Sequence, residues 1–231
     1  MVRKLINKIW DRFKQKSYAL NELDLKLLPF LNYRDGFFIE AGANDGIRQS
    51  NTLYYEKYKG WTGLLIEAIP ALAEQCGKNR PKCIVENCAL VSSQFPDKTV
   101  ELEYYNLMSI VKGGFGNDAD ENQHKESASR ILREGDNNSY LVSVPARTLS
   151  DVLIAHGINE IDLLSLDVEG YEENVLNGVD FKKHTPKFIL VETRHNKKPA
   201  METILLPYYD QVAILNTNSR FADILFRHKN L

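Results

Sequence analysis

The chain has 231 residues, is 43% hydrophobic and 26% charged, and carries a formal net charge of -2, the balance of an ordinary globular protein with one continuous core. So little net charge gives no overall basic field for a nucleic-acid backbone, and no apolar run reaches the roughly 20 residues needed to span a membrane. The three cysteines, Cys76, Cys83 and Cys88, are odd in number, lack paired spacing and have no histidine nearby in sequence. They are expected as reduced thiols, neither a disulfide framework nor a zinc site.

The start, Met1–Trp10, is basic but never builds the apolar centre of a signal peptide, so a soluble, cytoplasmic protein is expected. Residues 3–16 have helical period, with Leu5, Ile6, Ile9, Trp10 and Phe13 on one face and Arg3, Lys4, Lys8, Arg12, Lys14 and Lys16 over most of the rest. That stripe could pack on the domain, on a second copy in a homodimer, or on an anionic membrane surface. Residues 1–35 are therefore set apart as an N-terminal helical extension.

From residue 36 to 231 the pattern becomes alternating strands and helices. Phe37–Ile39 reads as a buried strand before a glycine turn, followed by a helix over Asn51–Tyr58. Gly63–Ile66 is a second strand, Ala71–Lys78 a helix and Cys83–Val85 a third strand. Such alternation builds right-handed βαβ units and a parallel sheet, so the fold class is α/β, doubly wound and mostly parallel. Thr99–Tyr105 alternates as an extra strand. Residues 109–139, rich in glycine and asparagine with a helical patch over 126–133, are too long for a plain connector and read as a lid or substrate insert, the alternative being a flexible insertion without function. The sheet is expected to resume at Tyr140–Val144. A helix capped by Thr148 covers Leu149–His156, and Ile161–Leu166 is a nearly continuous apolar strand of a sheet centre. A helix over Tyr171–Leu176 ends near Gly178. Strands at Phe188–Val191, Gln211–Leu215 and Phe221–Phe226 close the chain.

Two features fall in register at successive strand ends. The first is the turn Glu40-Ala-Gly42-Ala43-Asn44-Asp45-Gly46, whose glycines let the backbone approach a ligand at the carboxyl edge of the sheet. The second is Glu67, about 20 residues further on, where a carboxylate can accept hydrogen bonds from both hydroxyls of a ribose. A dinucleotide turn needs three glycines around a pyrophosphate. Here there are two, and Glu40 and Asp45 would repel phosphate while suiting the cationic amino group of a methionine moiety. Tyr55-Glu-Lys-Tyr-Lys59 matches the Y-x-x-x-K of some dehydrogenases but comes far too early in the chain for that role.

The third feature is Leu164-Ser-Leu-Asp167-Val-Glu169-Gly170-Tyr171-Glu172, a buried strand ending in three carboxylates on the same edge. Glu192 adds a fourth at the end of the next strand. Close carboxylates can raise one another's pKa and so make a general base, or can hold a divalent ion.

With these stretches in place the chain resembles the FkbM family of S-adenosylmethionine-dependent methyltransferases. The likeness runs over Phe37–Gly46, Ser50-Asn-Thr52, Gly60–Glu67, Asn87–Leu90, Thr148-Leu149 and Ile161–Gly170, within about residues 36–193. The resemblance implies a Rossmann-like class I methyltransferase in which Glu40, Gly42 and Asn44 contact the methionine end, with Ala43, Gly46 and Thr52 in the matching stretches around them. It places Glu67 on the ribose, Asn87 and Cys88 beside the adenine, and Asp167 and Glu169 toward the acceptor. It implies O-methylation of a sugar, glycan or glycosylated metabolite. Ser165 departs from the pattern, since many members carry lysine there. Asp167 is the preferred base, then Glu169, with Glu192 as a further candidate; a Mg2+ held by the three is the alternative, and no histidine-rich set points to a transition metal. Two rival readings remain: a nicotinamide-dependent oxidoreductase, which would need the missing glycine, and a non-catalytic module keeping only the fold.

Overall fold

A computed structural model describes residues 16–105, 110–111 and 140–231. The helix expected over 3–16 lies outside these residues except for Lys16. So does the expected insert 109–139, with its helical patch, except for Ile110–Val111.

The strands of the main sheet are β1 (Phe37–Ala41), β2 (Thr62–Ile66), β3 (Ile84–Glu86), β8 (Leu163–Leu166), β9 (Phe188–Arg194), β10 (Tyr209–Thr217) and β11 (Phe221–His228). Their spatial order is β10-β11-β9-β8-β1-β2-β3. Neighbours from β9 through β3 are parallel, and β11 is antiparallel to both β9 and β10. This is the doubly wound, mostly parallel architecture that the sequence leads one to expect. Strand order reverses between β1 and β8, where Phe38 pairs with Leu163 and Ala41 with Leu166. In such sheets a crevice for ligands opens at that reversal, beyond the carboxyl ends of the strands.

Alternate side chains of the central strands enter two separate cores, as the two-residue period of a strand requires. Ile39, Leu64, Leu164 and Ile189 join one core, together with buried residues of α3 (Leu149–His156), α4 (Glu172–Leu176) and α5 (Lys198–Leu205). Phe38, Leu65, Leu163 and Leu190 join the other. Into that second core come Leu27 and Leu31, just past the short helix α1 (Leu23–Lys26), along with Tyr55 and Trp61. Thus part of the segment before residue 36 is packed directly against the sheet.

The helix expected over Asn51–Tyr58 forms over residues 53–59, starting two residues late, turning π-helical at Tyr55–Lys59 and stopped by Gly60 at φ 72°. The cause is local: the amide of Asn51 and the hydroxyls of Ser50 and Thr52 all donate to Glu40, which draws these residues away from a helical ladder. By contrast, α2 (Pro70–Asn79) starts with proline in its first turn, where a missing N–H costs nothing. Thr148 caps α3 as expected, its side chain accepting from the Asp151 amide at 3.0 Å.

A second correction concerns Tyr140–Val144. These residues do not rejoin the main sheet. They belong to β7 (Tyr140–Arg147), which pairs with β4 (Ala89–Leu90) and β5 (Thr99–Tyr104) in a second sheet ordered β4-β7-β5-β6, where β6 is Ile110–Val111. Alternation alone could not distinguish the two sheets, because β7 presents the same half-buried period either way.

Candidate functional site

A cavity lies over the carboxyl ends of β1, β2 and β8, the place where sheets of this kind receive ligands. Its floor is the turn after β1. Gly42 has φ +84°, and a Cβ there would stand 1.8 Å from the carbonyl oxygen of Asp167. Only glycine permits this approach of the β1 turn to the β8 turn. Asn44 follows at φ 51°, a conformation asparagine tolerates better than most residues. The turn thereby aims its amide at Glu67 Oε2, 2.8 Å away.

Glu67 is buried at the end of β2, and its Oε1 accepts from the Ile69 amide at 2.8 Å. Loss of water pushes its pKa up to about 7, although the backbone donors at Ile69 and Asn44 pull the other way. One end of the cavity beyond it is apolar, with Ile69, Cys88, Ala89, Leu90 and Leu102 of the second sheet among its lining. Burial pushes the Cys88 thiol up to about 12, so it stays a neutral, apolar surface at ordinary pH.

Glu40 lies on the other side. Its carboxylate accepts from Ser50 Oγ at 2.8 Å, the Asn51 amide at 2.6 Å and Thr52 Oγ1 at 2.7 Å, and it faces the Arg80 guanidinium at 3.8 Å. Arg80 is fully buried. It donates to Glu56, to Gly46 O at 3.0 Å and to the hydroxyls of Ser50 and Thr52 at 3.3 and 3.2 Å, and it stacks 5.3 Å from the Phe38 ring centre. A buried cation needs this many partners to offset its desolvation. Arg80 and Glu40 together fix the 46–52 loop that forms one rim.

The acidic end combines Asp167, Glu169 and their neighbours. Asp167 Oδ1 is buried with no hydrogen-bond partner among the described residues. Burial, and then the nearby carboxylates of Glu172, Asp223 and Glu40, lift the Asp167 pKa to about 7. Glu169 is shifted well upward as well, by burial and then by Asp167 and Glu172, and it sits at φ 54°. That left-handed backbone is unusual for glutamate. It is held by Glu172, whose Oε1 accepts from the Gly170 amide at 2.8 Å and the Val168 amide at 3.3 Å, and by Lys197, which donates to Gly170 O at 2.9 Å.

Of the residues singled out in the sequence, Glu40, Gly42, Ala43, Asn44, Glu67, Cys88, Asp167 and Glu169 line this cavity. Four do not. Gly46 packs its backbone against Arg80 and Cys76. Thr52 is fully buried, binding Glu40 and Arg80. Asn87 spends both amide hydrogens on the carbonyls of Glu67 and Ala68, each at 2.8 Å; it braces the Glu67 turn and does not reach the cavity. Glu192 pairs in register with Asp223 on β11 and lies behind the lining, where burial and then Asp167, Glu169, Asp223 and Glu172 lift its pKa to about 10. Among the described residues no group of three or more His, Cys, Asp or Glu is arranged to hold a metal ion, and the trio Asp167, Glu169 and Glu192 is not brought together as one. Ser165 accepts from Asn51 Nδ2 at 3.0 Å beneath the cavity. All three cysteines are free, and no described helix is long and apolar enough to cross a membrane.

Sequence reasoning missed Arg80, Arg48, Gln49 and Leu102, all part of the site or of its bracing. Tyr171 and Glu172 belong to the carboxylate-bearing segment read in the sequence, though the bracing role of Glu172 was not legible there.

A profile described as the methyltransferase FkbM domain matches residues 40–225. No curated protein matches the chain. Among solved structures, methyltransferase FkbM from Methylobacillus flagellatus KT superimposes with a TM-score of 0.51 at 13% identity, covering 93% of this chain and 48% of that one. A protein of the NADB-Rossmann superfamily from Streptococcus agalactiae gives 0.50 at 11% identity, covering 92% and 70%. A TehB-like SAM-dependent methyltransferase from Corynebacterium glutamicum gives 0.47 at 10%, covering 98% and 97%.

Proposed function

The chain belongs to the FkbM methyltransferase family, and on that premise we propose that it transfers a methyl group from S-adenosylmethionine to a hydroxyl of a sugar or glycosylated acceptor. The observation that carries the reading is Asp167 Oδ1, a buried and unpartnered carboxylate oxygen at the cavity with a pKa near 7. A hydroxyl oxygen attacks well only as its proton leaves, and a base whose pKa lies near the working pH serves best.

The residues present fit the cofactor. Gly42 leaves backbone open at the floor, Glu40 and Asn44 offer polar atoms to an amino acid end, and Glu67 stands where ribose hydroxyls would be met. Ile69, Cys88 and Leu102 give an apolar slot for a base. The bound cofactor supplies a methyl group on a cationic sulfur, already activated for displacement. The protein's part is then to align the acceptor, which is worth several kcal/mol, and to take its proton onto Asp167 Oδ1. Glu172 and Lys197 keep the Asp167–Gly170 turn in place while this happens. Arg48 and Gln49, on the exposed rim, would meet the acceptor side.

Isothermal titration with S-adenosylmethionine, with S-adenosylhomocysteine and with NAD tests the cofactor. Micromolar binding of the first two and none of the third is expected, and preferential NAD binding would overturn the reading. Methyl transfer from labelled donor to a panel of glycosides and simple alcohols then tests the acceptor class.

A further inference from the structure

The cavity mouth is bordered by a surface that the reaction does not use. Asp24, a buried carboxylate, accepts from Ser17 Oγ at 2.6 Å and from the Tyr18 amide at 2.7 Å. The next residue, Ala19, forms an isolated parallel bridge with Gln49 of the rim. The path of the chain into the fold is therefore pinned beside the cavity. Around it, Leu20 is 47% exposed, Ile47 42% and Tyr58 48%. Tyr18 stacks on Tyr58 with ring centres 6.5 Å apart, and its ring also lies 5.3 Å from the Lys16 ammonium and 4.8 Å from that of Lys57. Of the acids close by, Asp45 is turned inward, accepting from the Ile47 and Arg48 amides at 2.9 and 2.7 Å, and Glu56 is bound by Arg80. Glu22 is exposed.

Exposed apolar tips, tyrosines at their edge and a surplus of lysine and arginine are the combination that favours an anionic lipid interface. The sequence that precedes this surface has the same chemistry: Arg3, Lys4, Lys8, Arg12 and Lys14 stand against a single acid, Asp11, among Leu5, Ile6, Ile9, Trp10 and Phe13. We propose that the face made by Lys16, Tyr18, Leu20, Ile47, Lys57 and Tyr58 docks on an anionic phospholipid bilayer, turning the Arg48–Gln49 rim of the cavity toward the lipid. An acceptor carried on a lipid would then meet the site without leaving the membrane. The docking surface goes beyond the methyl-transfer reading and stands or falls separately from it.

The test is co-sedimentation of the full chain with phosphatidylcholine vesicles, with and without phosphatidylglycerol. Binding only to the anionic vesicles, weakened by salt, is expected. Each cation near such a surface is worth about fivefold, so Lys16→Glu combined with Lys57→Glu should weaken vesicle binding at least tenfold. Leu20→Ser combined with Ile47→Ser should weaken it too, and both pairs should leave the melting temperature nearly unchanged. Absence of wild-type binding to anionic vesicles, equal binding to neutral ones, or wild-type affinity in both double variants would overturn the proposal. So would a dimer in light scattering that these variants dissolve without any vesicle binding, since the face would then join two copies of the chain.

Discussion

A methyl group at Gly42 would collide with the Asp167 carbonyl and would have to hold φ +84°. Gly42→Ala is therefore expected to destabilise the fold by about 3 kcal/mol or more, the upper range for single substitutions, read by urea unfolding. Glu67→Ala should weaken S-adenosylmethionine binding by about 1.5–3 kcal/mol, the worth of hydrogen bonds to a charged group; unchanged affinity by titration would remove Glu67 from the ribose role. Asp167→Asn keeps the shape and removes the base. Turnover should fall by roughly two to four orders of magnitude while cofactor affinity is retained. Because Asp167 accepts the proton only when ionised, wild-type kcat should rise with pH through about 7, and a flat profile there would assign the base elsewhere. Gly42 and Glu67 were readable in the sequence because each marks a strand end whose place the sheet pattern had already set.

At the level of elements, the 46–52 loop is held by Glu40 and by the buried guanidinium of Arg80. Arg80→Met would leave Glu56 without its guanidinium and strip donors from Gly46 O, Ser50 and Thr52. Breaking a buried ion pair from one side costs about 3–5 kcal/mol, so the midpoint of urea unfolding should drop sharply, and an unchanged midpoint would deny Arg80 this role. Nothing in the sequence distinguished Arg80, because its partners come from three separate stretches that only the fold brings together. The same limit explains why the helix expected over Asn51–Tyr58 begins only at Leu53: the spacing was compatible with an earlier start, but Glu40 claims the donors of residues 50–52. It also explains Asn87, whose strand-end position was legible while the direction of its amide, toward Glu67 O and Ala68 O, was not. Strands buried on both faces, such as Leu163–Leu166, were evident from their unbroken apolar character. The partner sheet of Tyr140–Arg147 depended on contacts between distant segments.

For the molecule as a whole, the carboxylates gathered behind β8 and β9 set a pH dependence. The Glu192 pKa rises from 4.5 to about 10 on folding, chiefly because burial disfavours its charge. Below about pH 4.5 the group is protonated in both states and costs nothing. As pH rises from there toward 10, the unfolded chain gives up this proton more readily than the folded one, and stability is lost. Glu192→Gln should consequently raise the melting temperature at pH 8 and leave it unchanged at pH 4. One pKa unit is worth about 1.4 kcal/mol, or roughly 3–6 °C in a domain of this size. Equal melting at pH 8 would place Glu192 in water rather than in the cluster.

The pairing of Phe38 with Leu163 at the centre of the sheet also bears on how the molecule comes into being. The wall of the cavity that carries Gly42 and Glu67 leaves the ribosome early, whereas the wall that carries Asp167 emerges only after everything between them has been made. Until β8 inserts beside β1, the early half has an open edge and nothing opposite its turn. Closing so long a loop is slow, and a nascent chain stalled before Leu163 should be blind to the cofactor and dependent on chaperones to guard that edge.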